Sequence, residues 1–190
     1  MSLTVEKCLQ AWTNSLRQLR TKVDIVFWGD SLTYYGDFAS QFPEKVVCNL
    51  GLRGDTIQGM INRIEQVELL DPDTIFLMTG INDVACYDEG EFEMMYNKLV
   101  AVVCQSLPCS ELILQSLLPV NDKDFKISCH NYQIEKSNMI ISSIASNYKL
   151  RYIDLYTPYV DNGVLPKEFT FDGLHLRPEM YGLWYERIVC

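Results

Sequence analysis

The chain has 190 residues, 48% hydrophobic and 22% charged, which suits one domain (1–190) with a proper buried core. A net charge of −9 with scattered Lys and Arg argues against a nucleic-acid partner, whose phosphates need clustered cations, and against attraction to an anionic membrane surface. No apolar run approaches ~18 residues, so membrane insertion is not expected.

The elements alternate. Residues 4–20 carry Val5, Cys8, Leu9, Trp12, Leu16 and Leu19 at helical spacing. Val23 to Trp28 reads as a first strand, and Val46 to Leu50 as a second, ended by Gly51. Asp55 or Thr56 could cap a helix carrying Ile57, Met60, Ile61, Ile64 and Val67, which stops before Asp71-Pro72-Asp73. Thr74 to Met78 is a third strand. A helix over about 91–106 follows, then a fourth strand from Glu111 to Leu118, closed by Pro119. A helix over 131–147, a short fifth strand from Leu150 to Ile153, and a final helix from about Pro178 to Val189 complete the series. Five apolar strands separated by helices imply an α/β fold with a mainly parallel sheet, buried on both faces.

Seven cysteines (8, 48, 86, 104, 109, 129 and 190) form an odd set without a CxxC pair. That pattern suits reduced core thiols in a cytoplasmic protein and offers no zinc cluster. The N-terminus shows no apolar h-region, which fits the same compartment unless a leader has been trimmed.

Sites in open α/β sheets form at the carboxyl ends of the strands. Three polar motifs fall there. Gly29-Asp30-Ser31-Leu32 follows the first strand, Asn49-Leu50-Gly51-Leu52-Arg53-Gly54-Asp55 spans the end of the second, and Thr79-Gly80-Ile81-Asn82-Asp83 follows the third. A serine delivered to a sheet rim is a nucleophile if a base reaches it. The chain has two histidines, His130 and His175, and His175 stands in Asp172-Gly173-Leu174-His175 with a carboxylate three residues upstream. A glycine amide and an asparagine amide could serve a developing oxyanion. Read singly, Ser31 is better taken as a turn or capping residue, and Asn82 or Asp172 could be a turn residue.

Taken together and in this order, the four blocks resemble the SGNH hydrolases, also called the GDSL esterase/lipase family, over nearly the whole chain. The resemblance implies a flavodoxin-like three-layer α/β/α sandwich with a five-stranded sheet. It also implies roles: Ser31 the nucleophile, His175 the base and Asp172 its orienting carboxylate. The backbone N–H groups of Ser31 and Gly51 and the side chain of Asn82 would form the oxyanion hole. Arg53 and Asp55 would shape the loop around Gly51, Asp30 and Asp83 would brace their own loops, and His130 would be a surface or capping residue. Two-step acyl transfer on a small-molecule ester needs no metal or organic cofactor.

The chain is similar to small bacterial members of the family that resemble platelet-activating-factor acetylhydrolase subunits and carbohydrate acetylesterases. Short loops with no lid then suggest short acyl groups, notably acetyl, on a carbohydrate alcohol. A lysophospholipase or acyl-thioesterase acting on longer chains is the alternative. A flavodoxin-like cofactor binder is disfavoured, since Gly29-Asp30-Ser31 lacks a glycine-rich phosphate cradle and Asp30 would repel an anion there. Tyr34, Tyr35, Phe38, Phe169 and Phe171 could line a pocket or fill the core. Tyr181, Trp184 and Tyr185 could pack on the sheet or meet a second copy, so monomer and homodimer both stay open.

Overall fold

The computed structural model describes residues 3–18 and 22–189, with side chains from residue 7 onward in the first helix. Its sheet has strands β1 (Ile25–Gly29), β2 (Val47–Gly51), β3 (Thr74–Met78), β4 (Glu111–Gln115) and β5 (Arg151–Ile153). Their order is β2-β1-β3-β4-β5, and every pair is parallel. This is the doubly wound order in which chain direction across the sheet reverses between β1 and β3, so their carboxyl ends border a crevice.

The central strands are apolar on both faces because helices cover both. Phe27 stacks between Phe38 and Phe76, at centroid separations of 3.9 and 4.7 Å, and Phe38 stands edge-on to Trp184. Trp28, pointing to the opposite face, lies beneath the Arg63 guanidinium. The helices are α1 (Leu3–Leu16), α2 (Ser31–Tyr34), α3 (Ile57–Asn62), α4 (Glu65–Glu68), α5 (Glu89–Ser106), α6 (Asn131–Tyr148), α7 (Tyr156–Tyr159) and α8 (Gly182–Ile188). Asp88 and Glu91 form a reciprocal capping box that starts α5.

Several expected boundaries move, each for a local reason. Leu19 lies outside the described residues, and α1 ends at Leu16. The helix expected across 57–67 breaks at Arg63, whose side chain turns inward to bond backbone carbonyls; Thr56 caps its first half. The fourth strand stops at Gln115 instead of Leu118. β5 ends at Ile153, so no strand remains to pair with the chain beyond Ser116. Two asparagines of α6 take over: the Asn138 amide bonds both the N–H and the carbonyl of Leu117, and the Asn131 amide does the same for Val120. The final helix opens with a 3-10 turn, Pro178–Tyr181, before α8.

The cysteines are only partly core residues. Cys129 is buried and Cys48 and Cys104 are half-buried, while Cys8, Cys86 and Cys109 are exposed, and all six are free thiols. Tyr181 and Trp184 are buried within the fold, stacked on each other at 5.8 Å, and the Tyr181 hydroxyl donates to the Leu32 carbonyl at 2.7 Å. None of the described helices is long and apolar enough to cross a membrane.

Candidate active site

β1 ends at Gly29, Asp30 takes an extended conformation, and α2 begins at Ser31. Asp30 Oδ1 accepts from the Leu32 N–H at 2.9 Å, which closes the turn and holds the Ser31 hydroxyl over the end of the sheet. Ser31 Oγ lies 2.8 Å from His175 Nε2, and His175 Nδ1 lies 2.7 Å from Asp172 Oδ2. Residues far apart in sequence thus form one continuous hydroxyl–imidazole–carboxylate chain.

The histidine loop is built to keep that geometry. Asp172 Oδ1 accepts from the N–H groups of both Leu174 and His175, at 3.0 and 2.8 Å, so the carboxylate that touches the ring also fixes the backbone carrying it. Thr170, buried below, accepts from the Gly173 N–H and donates to the His175 carbonyl, at 2.9 and 2.7 Å. Burial pulls the Asp172 carboxyl upward, but the bonds from the His175 ring and from the two N–H groups outweigh it and leave the carboxyl below its usual range.

On the other side of Ser31 the expected oxyanion residues separate. The Asn82 side-chain amide donates to the Asp55 carbonyl at 2.8 Å, which leaves its second amide hydrogen available. Gly51 is a correction. Its N–H is taken by Asn49 Oδ1 at 2.8 Å, and an oxyanion donor must be free. Gly51 is needed for packing instead: a Cβ there would stand 2.2 Å from the Tyr34 backbone nitrogen. The glycine that suits the role is Gly54. Leu52 to Asp55 closes a turn through the Asp55 N–H and the Leu52 carbonyl, at 3.1 Å, with Gly54 third in the turn at φ +72°. Its N–H has no acceptor among the described residues. It also sits between Arg53, which lines the cavity beside His175, and Asp55, whose carbonyl holds Asn82.

Beneath this loop lies a residue that the helical pattern did not single out. Arg63 is buried, and its guanidinium bonds Asp55 Oδ2 at 2.6 Å, the Leu50 carbonyl at 2.9 Å and the Gly29 carbonyl at 3.1 Å. One side chain therefore ties the ends of β1 and β2 to the loop that carries Gly54 and Asp55. Burial pushes the Asp55 carboxyl up and the Arg63 guanidinium down, and their mutual attraction opposes both. Asp83 Oδ2 accepts from the Ile57 N–H at 3.1 Å and fastens the third block to α3. Asp30 is fully buried and its Oδ2 has no partner. Burial raises its carboxyl to about 7, with the Asp55 and Asp83 charges adding and the Leu32 N–H and Arg63 opposing.

The aromatic candidates divide. Phe38 is core, Phe169 packs against the core, Tyr34 is exposed, and Tyr35 and Phe171 line a cavity of about 390 Å³ beside His175. His130 lies away from the triad residues, at the start of α6, where its N–H donates to Gln133 and its ring bonds Asp122. Among the described residues no group of three His, Cys, Asp or Glu stands close enough together to hold a metal ion.

Comparison with known proteins places the chain. The profile of the GDSL-like lipase/acylhydrolase family matches residues 27–183. The chain belongs to that family. It is a GDSL-type hydrolase, and the match spans the blocks that carry Ser31, Asn82 and His175. Among solved structures, a Streptococcus pneumonia protein provisionally called a platelet activating factor shares 26% identity at a TM-score of 0.86, covering 96% of this chain and 90% of that one. A GDSL-like lipase from Bacteroides thetaiotaomicron shares 23% identity at a TM-score of 0.81, covering 95% of each chain. A single-substitution variant of an acetyl xylan esterase from Geobacillus stearothermophilus shares 20% identity at a TM-score of 0.70, covering 88% of this chain and 93% of that one. The last two likenesses speak to the fold alone. No curated protein matches the sequence significantly.

Proposed function

We propose that this GDSL hydrolase cleaves carboxylic esters through an acyl-enzyme on Ser31, with His175 as base and Asp172 as its orienting carboxylate. The observation that carries the reading is the unbroken chain of contacts, 2.8 Å from Ser31 Oγ to His175 Nε2 and 2.7 Å from Nδ1 to Asp172 Oδ2. In the first step Ser31 Oγ attacks the ester carbon while its proton passes to Nε2. The carbonyl oxygen becomes an oxyanion facing the Ser31 N–H, the Gly54 N–H and the free hydrogen of the Asn82 amide. His175 then gives the proton to the leaving alcohol, and water repeats the sequence on the acyl group.

Short acyl groups, acetyl first, on a carbohydrate alcohol are the substrates we favour. The cavity beside His175 is open and bordered by the rings of Tyr35 and Phe171, a fit for a sugar-sized alcohol. Acetyl xylan esterases share the fold. The first part of the segment after β4, Leu117 to Asn121, is buried. Hydrolysis of p-nitrophenyl esters from acetate to decanoate, with Ser31→Ala alongside, tests the reading. Ser31-dependent activity confined to the shortest esters is expected. A rate that climbs with chain length would shift the substrate to lysophospholipids or acyl-thioesters.

A further inference from the structure

The cavity beside His175 carries a chemistry that ester cleavage itself does not use. Arg53 lines it, and its guanidinium lies 5.7 Å over the ring of Tyr35, which stands edge-on to His175 at 5.7 Å. Phe171 lines the same cavity, and the Arg177 guanidinium lies over its ring at 4.5 Å. A cation–π contact engages no acceptor with the guanidinium N–H groups, so the fork of donors that matches a carboxylate or phosphate stays open. Among the described residues no carboxylate, carbonyl or hydroxyl accepts from either guanidinium, although both belong to a chain of net charge −9. The Asp172 carboxylate in the same wall is already engaged by the His175 ring and by two N–H groups. A chain of this charge repels anions at long range, so an unpaired arginine lining the cavity, with a second over the ring of Phe171 in its wall, is a local exception.

The side of the site matters. His175 Nε2 is the atom that protonates the leaving oxygen, so a cavity lined by His175, Tyr35 and Arg53 receives the alcohol part of an ester, not its acyl part. We propose that the preferred substrates carry a carboxylate or phosphate on the alcohol portion, held by Arg53 with Arg177 as a second cation, with the ring of that alcohol against Tyr35 and Phe171. The proposal rests on the hydrolysis reading above and narrows its substrate to acylated, anion-bearing ring alcohols such as acidic or phosphorylated sugars.

The test compares three acetate esters, phenyl acetate, 4-acetoxybenzoate and 4-acetoxyphenyl phosphate, with phenyl hydrogen succinate, which carries its charge on the acyl side. Each kcat/KM is normalised to the rate of alkaline hydrolysis. The expected result is roughly tenfold preference for one or both anionic acetates over phenyl acetate at low salt, shrinking at high salt, with no preference for the succinate. Which acetate leads tells carboxylate from phosphate. Arg53→Gln should lower the anionic-to-neutral ratio about fivefold. An unmoved ratio, whether because the wild type does not discriminate or because the variant loses both activities equally, overturns the proposal. Binding of the same esters to Ser31→Ala keeps the two readings apart. A charge preference in binding that Arg53→Gln removes, without turnover by the wild type, would leave the anion site standing and sink hydrolysis. Turnover without any charge preference would do the reverse.

Discussion

Four aspartates surround Ser31, and they divide into two regions with opposite electrostatics. Asp172 has a side chain 52% exposed and collects hydrogen bonds from His175 and Leu174, which hold its carboxyl below the usual range. Asp30, Asp55 and Asp83 are buried under the loops after β1, β2 and β3, where desolvation pushes every one of them up, Asp83 to about 6 and Asp30 to about 7. The same side chain serves two purposes because its surroundings differ. The exposed carboxylate stays charged, which suits the orienting role proposed for it. The buried three act as backbone acceptors and ion-pair partners that position the loops, and the energetic cost of their charge is offset in part by Arg63 at Asp55 and Asp30 and by the N–H groups of Leu32, Thr56 and Ile57.

That contrast can be broken by substitution. Asp172→Asn, on the exposed side, is expected to lower kcat on the order of 10³–10⁴-fold with little change in urea midpoint, since only the charge facing His175 is lost. A folded Asp172→Asn protein of near-normal turnover would remove Asp172 from the triad. Asn82→Ala should lower kcat by ~100–1000-fold, read in the same assay on a protein shown to be folded by circular dichroism. Arg63→Met belongs to the buried side. It leaves Asp55 without its cation, and chemical denaturation should show a loss of about 3–5 kcal/mol. A stability unchanged by Arg63→Met would mean that the loop does not depend on this ion pair.

The two glycines sharpen the comparison. A Cβ at Gly51 would meet the Tyr34 backbone, whereas a Cβ at Gly54 meets nothing within 4 Å and suffers only its left-handed φ. Gly51→Ala should therefore chiefly damage folding. Gly54→Ala, with a penalty of about 1–2 kcal/mol, should spare folding but disturb the turn that presents its N–H, and so chiefly lower kcat.

A further expected effect concerns pH. A carboxyl raised in the folded state binds its proton more tightly there than in the unfolded chain. Its contribution is therefore fully present below about pH 4, is lost as pH rises through 6 for Asp83 and 7 for Asp30, and is absent above. Urea unfolding between pH 5 and pH 8 should show a downward slope that Asp30→Asn partly flattens. The depressed Asp172 behaves oppositely, adding stability above the ordinary carboxylate range and losing it in acid.

Much of this was legible in the sequence, because the doubly wound fold converts strand ends into a site. Placing Ser31, Asn82 and the second block after apolar runs was enough to bring them to one rim, and the turn signal in Asp172-Gly173-Leu174-His175 marked the histidine loop. Gly51 was misassigned because it and Gly54 both read as glycines of close approach. The distinguishing signal was present: in Leu52-Arg53-Gly54-Asp55 the glycine holds the third position of a turn, where its N–H is left unbonded. Arg63 gave no such signal, since a lone cation between Met60 and Ile64 reads as the solvent face of a helix. Only the break in that helix turns it inward. The end of β4 was similarly hidden, because the side chains of Asn131 and Asn138 complete backbone pairing from a distant helix.

The most direct measurement is to trap the acyl-enzyme. The protein is quenched in acid moments after mixing with p-nitrophenyl acetate, digested, and its peptides are weighed. An acetyl group on the peptide containing Ser31, missing from Ser31→Ala and formed far more slowly in His175→Ala, is the expected result. Continued turnover by Ser31→Ala, or an acetyl group on any other residue, would contradict the assignment of Ser31 as nucleophile.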